Sequence, residues 1–332
     1  MRRLAAILPL FAPVLAANRT VAPPGCITVS KSGGETRRSY STIQAAVDAL
    51  STASADAQCI FISPGTYTEQ VLVPARRAQL SVYGSTADTG GYAGNEVTIT
   101  SSKSQADGLS NDGSATLRVK AAGFRLYNVN VNNGHGRGSQ AVALSASADS
   151  AYYGCAFTGY QDTLLADTGT QLYARCLVQG VTDFIFGQHA PAWFEKCDIR
   201  VLSASMGYIT ASGRSSSSDP NYYVFNSCSI AAAAGNNVAD GAFYLGRPWR
   251  AYARVVVQKT SMTSVVNPAG WRIWNAGDER TSNVLFGEHA NTGAGAKGTR
   301  APFATKLSSA IAIETVLGSG FTGAGWFDSA CL

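Results

Sequence analysis

Glycine recurs every 21 residues at Gly138, Gly159 and Gly180, and cysteine does the same at Cys155, Cys176 and Cys197. Gln140 and Gln161, and Asp162 and Asp183, keep the same interval. A fixed period of this length is the signature of a solenoid in which one repeat is one coil. Residues one period apart then lie above one another at the strand spacing of about 4.8 Å, so two glutamines stack and two aspartates stack beside them. An aromatic residue three positions before each cysteine (Tyr152, Tyr173, Phe194, and Phe225 before Cys228 after a longer coil) is expected to hold the coils in register.

The rest of the chain fits an all-β reading. Short runs rich in valine, isoleucine and aromatics (Cys59 to Ile62, Leu80 to Tyr83, Val97 to Thr100, Leu117 to Val119, Phe124 to Val131, Ala141 to Leu144, Val255 to Val257) alternate with glycine, asparagine and serine, with no helical period between them. Ser41-Thr42-Ile43-Gln44 reads as a capping box, and Ile43, Ala46, Val47 and Leu50 follow at helical spacing, predicting a helix that covers the open end of the solenoid. Thr86 to Gly94, Ser212 to Tyr222 and Ala231 to Gly241 are expected as loops overhanging one face. After Trp274 the pattern weakens: Phe286 to Gly298 reads as loop, and Phe303 to Leu317 with Trp326-Phe327 as a segment folding back over the coils.

Residues 1–17 carry Arg2 and Arg3, then the apolar run Leu4 to Ala16, the pattern of a cleaved secretory signal rather than a membrane span. Residues 18–332 then form one domain of a secreted protein. Loss of the two arginines lowers the formal net charge from +5 to about +3. That gives nucleic-acid binding little support and suits a polyanionic polysaccharide. All seven cysteines follow the signal, where disulfides are permitted, and at least one has no intrachain partner. Stacked cysteines on neighbouring coils lie within bridging reach, so Cys155 with Cys176, or Cys197 with Cys228, are candidate disulfides; a ladder of buried thiols is the alternative. No zinc spacing is present.

Two carboxylates about 5 Å apart cannot both ionise cheaply, so one titrates low and the other high, supplying a nucleophile and a general acid from one residue type. Gln140 and Gln161, adjacent in the frame, are candidate donors to a developing oxyanion.

The surrounding words are Gly65-Thr66-Tyr67-Thr68-Glu69, Gln140-Ala141-Val142-Ala143-Leu144, Gly159-Tyr160-Gln161-Asp162-Thr163-Leu164, Asp183-Phe184-Ile185-Phe186-Gly187 and Leu245-Gly246-Arg247-Pro248-Trp249. In this order they resemble the pectin methylesterases over Ile27 to Trp326, in a layout similar to the secreted fungal members. The resemblance implies a single-stranded right-handed parallel β-helix and hydrolysis of the methyl esters of galacturonate units in pectin, without a cofactor, by a monomer that needs no membrane. It implies Asp183 as nucleophile, Asp162 as general acid and base, Gln140 and Gln161 as oxyanion donors, and Arg247 as the partner that orients Asp183. Trp249, Phe186, Trp271, Trp274 and Tyr160 resemble positions lining the substrate cleft, where sugar rings stack on aromatic faces.

Asn132-Asn133-Gly134-His135-Gly136 departs from an Asn-Thr-x-Gly segment, which bears on a threonine contact to the sugar. Two other functions compete. A β-helix glycoside hydrolase of polygalacturonase type also uses aspartates near 5 Å, and Gly134-His135-Gly136 mimics one of its words. A noncatalytic wall-binding protein is the other, and the full set of site residues argues against it.

Overall fold

The computed structural model describes residues 17–32 and 38–332; most of the signal segment, residues 1–16, lies outside them. The chain winds into a parallel β-helix of three faces, with sheets of 12, 8 and 7 strands among the described residues. Each coil gives one strand to each face in turn. Ser150–Tyr153, Ala156–Thr158 and Leu164–Thr168 make one coil; Gln171–Ala174, Leu177–Gly180 and Thr182–Gly187 make the next. Their pairing confirms the 21-residue frame: Ser150 lies against Gln171, Ala156 against Leu177 and Leu164 against Ile185. The next coil is longer, because residues 202–206 and 213–221 loop out before Pro191 meets Tyr222. Parallel crossovers are right-handed, which sets the hand of the coil.

Stacked identical positions build the core. Tyr152, Tyr173, Phe194 and Phe225 form an inner column with centroid spacings of 4.8, 4.6 and 4.5 Å and nearly parallel, stacked rings. Beside it runs a turn column in which Asn128, Arg175, Lys196, Ser227, Lys259 and Ala290 all adopt positive φ between the 12- and 8-stranded faces. Each cysteine follows such a residue and turns inward, and Cys176, Cys197 and Cys228 donate to the carbonyls of Tyr152, Tyr173 and Phe194 at 3.3 to 3.4 Å. The thiol ladder is therefore the form observed: Cys155, Cys176, Cys197 and Cys228 are free and buried. The two candidate disulfides among them are not formed; Cys176, Cys197 and Cys228 each face a strand carbonyl of the preceding coil instead. The bridge that does form, Cys26–Cys59, joins the first strand to its neighbour.

The capping helix spans Ile43–Ala49. Its cap is Thr42 rather than Ser41, and Thr42 accepts from Ala45 N at 3.2 Å. Gln44, expected to close a capping box, instead reaches the neighbouring strand: Leu72 N donates to its Oε1 at 2.7 Å. The Glu69 carboxylate takes over the helix N-terminus, accepting from Ile43 N and Gln44 N at 2.9 Å each. The expected loop at Phe286 begins instead as a strand, Leu285–His289, which extends the solenoid through Ala304–Lys306. Ser229–Ala232 likewise extends into the loop expected from Ala231. Beyond it the C-terminal segment folds back as expected: Val316, Leu317, Phe321 and Trp326 cover Tyr127, Tyr153, Leu172 and Trp193 on the outside of the 12-stranded face. No described helix is long and apolar enough to cross a membrane.

Candidate active site

The 7-stranded face carries all five expected catalytic residues. Asp162 lies two residues before Leu164–Thr168, Asp183 lies in Thr182–Gly187 and Arg247 in Phe243–Pro248. Gln161 pairs with Thr182 and Leu164 with Ile185, so the frame between them sets Asp162 directly above Asp183. Both aspartates have positive φ, +64° and +50°. Aspartate tolerates this region better than most residues, and left-handed non-glycine backbone concentrates where function demands it. Asp183 also sits where the pairing to the next coil slips by one residue, between Thr182 and Ile185. Such a bulge re-aims a side chain.

Two of the recurrent glycines, Gly159 and Gly180, allow the tight approach at these turns. A Cβ on Gly180 would stand 2.4 Å from Phe184 Cβ, beneath Asp183. The backbone carbonyl of Tyr160 accepts from Val181 N at 2.7 Å, joining the two turns, while Arg137 lies over its half-exposed ring.

Electrostatically the two carboxylates are unequal. Asp183 receives a forked bond from Arg247, Nε to Oδ1 at 2.9 Å and Nη2 to Oδ2 at 2.6 Å. Asp162 has no hydrogen bond or ion pair to its carboxylate among the described residues and is 7% exposed. Burial, then the neighbouring Asp183 charge, push the Asp162 carboxyl up to about 8, against a weaker downward pull from Arg247. Burial raises the Asp183 carboxyl as well, and the hydrogen bonds and charge of Arg247 offset this only in part; it is the fork that favours the charged form of Asp183 over that of the unpaired Asp162. The proton therefore resides on Asp162 and the charge on Asp183. The side-chain amides of Gln140 and Gln161 are half-buried and bond no protein group among the described residues. Gln140 is fixed through its backbone, where Gln105 N donates to its carbonyl at 2.9 Å.

Around this centre lies an apolar outer patch of Ala115, Val142, Leu165, Phe186 and Ala211, against which the half-exposed Trp249 packs. Phe186 and Trp249 meet at 6.2 Å, and a Cβ on Gly213 would come within 2.6 Å of the Trp249 ring. Trp271 is not part of the cleft. It is 1% exposed, stacks on Phe286 at 4.4 Å and donates from Nε1 to Glu288 Oε1, so it closes the core of the later coils. The neighbouring Trp274 is the one that reaches the site, its ring 4.2 Å from the Arg247 guanidinium. Tyr208, absent from the expected set, lies at the same distance from that guanidinium. It escapes the 21-residue frame because it pairs with Thr182 across the longer coil. Asn133 serves the backbone, donating to Lys103, Ser114 and Val142 carbonyls and accepting from His135 N. Among the described residues, no group of three or more His, Cys, Asp or Glu side chains could hold a metal ion.

Fold and site together define a hydrolase built on a parallel β-helix. Residues 27–322 match the family model described as Pectinesterase. The chain is 53% identical over 319 residues to a pectinesterase of Aspergillus aculeatus, covering 95% of each chain, and 52% identical to a pectinesterase of Aspergillus niger. Its structure resembles the crystal structure of the pectin methylesterase from Aspergillus niger with a TM-score of 0.86 at 42% identity, covering 95% of this chain and all of that one. It resembles the pectin methylesterase from carrot with a TM-score of 0.81 at 30% identity, covering 93% of this chain and 98% of that one. The chain belongs to the pectinesterase family and is a carboxylic ester hydrolase.

Proposed function

We propose that this protein hydrolyses the C6 methyl esters of homogalacturonan in pectin through an aspartyl acyl-enzyme. One observation carries the assignment of roles: of two stacked carboxylates, only Asp183 is held by a guanidinium, and only Asp162 is left buried and unpaired. The ionised Asp183 attacks the ester carbonyl carbon, forming a C–O bond. The oxyanion that develops accepts hydrogen bonds from the free amides of Gln140 and Gln161. As the bond to methoxide breaks, protonated Asp162 gives it a proton and methanol leaves. Asp162, now a carboxylate, takes a proton from water, hydroxide adds to the acyl carbon, and Asp183 departs as a carboxylate. The galacturonic acid released ionises to pectate, and Asp162 is again protonated.

Trp249 and Phe186 provide the apolar surface for the sugar and its ester methyl group. Tyr160 borders the cleft with its half-exposed ring under Arg137. In this reading residues 1–17 are a secretory signal, residues 18–332 are one domain, and the mature protein is a secreted monomer working without a cofactor.

The purified mature protein and its Asp183→Ala variant, incubated with highly methylated pectin, test this by parallel counts of methanol and reducing ends. Methanol from the wild type alone with reducing ends flat is expected. Reducing ends without methanol, or neither product across a broad pH range, overturns the reading.

A further inference from the structure

Outside the repeating turn column, the described non-glycine residues with positive φ are three: Asp162, Asp183 and Arg280, the last at +57°. Two carry the proposed chemistry. Arg280 lies in a hairpin after the last strand of the catalytic face, closed by mutual backbone bonds of 3.1 Å between Asn275 and Asp278 and turned at Gly277. Strained backbone persists where its surroundings hold it for a purpose.

Arg280 ends a four-layer stack. The Tyr208 ring lies 4.2 Å from the Arg247 guanidinium, the Trp274 ring lies 4.2 Å from that same guanidinium, and the Arg280 guanidinium lies 4.8 Å from the Trp274 ring. Rings and cations thus alternate from the floor of the face to the hairpin. The outer cation is itself fixed: Nε and Nη2 of Arg280 engage both oxygens of Asp278 at 2.6 to 3.0 Å, and Nη1 donates to the Trp249 carbonyl. Trp274 is tied to the other arm of the hairpin, its N donating to the Glu279 carbonyl at 3.2 Å. A planar guanidinium with a ring beside it on two sides loses most of its freedom to tilt, and cation–π attraction favours that geometry.

We propose that Trp274 and Arg280 are positioning residues, which clamp Arg247 against Tyr208 and so keep its fork aligned on Asp183. The hairpin is then part of the hydrolytic machinery, and Trp274 acts through Arg247 rather than as a platform for sugar. This rests on the esterase reading above. Loosening the clamp frees Arg247 to leave the fork, and a less well-paired Asp183 takes up its proton at higher pH. Activity that requires ionised Asp183 is lost as pH falls through its pKa, so the acid limb moves upward.

The test measures kcat, KM and the acid limb of methanol release from methylated pectin for the full mature chain and for Trp274→Leu, Trp274→Phe and Arg280→Gln. Trp274→Leu is expected to lose about tenfold or more in kcat with KM within about threefold, and its acid limb to move up by about one pH unit. Trp274→Phe keeps most of the activity, and Arg280→Gln, on an exposed hairpin, shows the same signature more weakly. A raised KM with kcat and the acid limb at wild-type values overturns the proposal, as do variants that match the wild type throughout. A wild type that releases no methanol instead overturns the esterase reading on which it rests.

Discussion

Asp162→Asn should make the protein more stable, and only at neutral and alkaline pH. The Asp162 carboxyl titrates near 3.8 in the unfolded chain and near 8 in the fold, mainly because it is buried. The folded state thus holds a proton that the unfolded state has released across that window. Its stabilising contribution is complete below pH 3.8, declines as pH rises, and is gone above pH 8. A displacement of about four units at about 1.4 kcal/mol each amounts to about 6 kcal/mol of stability withdrawn between the two ends. Asparagine has nearly the same shape and no proton to lose, so it escapes the decline. Urea unfolding of wild type and variant at about pH 4 and about pH 9 measures this, with the variant's advantage expected to grow by several kcal/mol between the two. The same substitution removes the proton that methanol needs, so kcat should collapse while stability improves, an exchange of stability for function. An advantage that is equal at both pH values would mean that folding does not displace the Asp162 proton.

Three further outcomes follow from the geometry. Gln140→Leu and Gln161→Leu should each lower kcat by about 10²- to 10³-fold with KM little changed, measured by steady-state methanol release; a rise in KM alone would assign the amides to ground-state binding. Trp271→Ala should cost about 3–5 kcal/mol in urea unfolding and leave KM intact, whereas Trp249→Ala should raise KM at nearly unchanged stability, since the first fills core and the second lines the cleft. Thiol titration with a water-soluble reagent should find five reactive groups in denaturant but at most Cys331 in the native protein, and three or fewer in denaturant would mean that a second bridge forms.

What the sequence reveals of this molecule is what its repeat encodes. Stacked positions share an identity because each coil presents the same environment, so the aromatic column, the cysteine column and the aspartate pair are all visible at a 21-residue interval. The view fails where the period breaks. Tyr208 follows a longer coil and pairs with Thr182 out of frame, so no spacing marks it as a neighbour of Arg247. Trp271 and Trp274 lie in an irregular segment with no alternation to say which faces inward, and the structure puts the first in the core and the second on Arg247. Leu285–His289 is a strand by virtue of its partner Arg254–Gln258, although Gly287 and Glu288 weaken its local preference. The Cys26–Cys59 bridge joins coils that precede the cysteine column, and Ser41 loses the cap to Thr42 because Gln44 finds a better partner in Leu72. The roles of the two aspartates were legible through the resemblance; the fork on Asp183 and the burial of Asp162 supply the physical reason for them.

Residue-specific titration of the two carboxyl carbons shows whether Asp162 and Asp183 divide proton and charge. Carbon-13 NMR of protein labelled at aspartate carboxyls, assigned with Asp162→Asn and Asp183→Asn, reads both groups from about pH 4 to about pH 9. Asp162 is expected to keep its proton until about pH 8 while Asp183 is already ionised at neutral pH. An Asp162 that is ionised at neutral pH beside a protonated Asp183 would reverse the roles of nucleophile and acid.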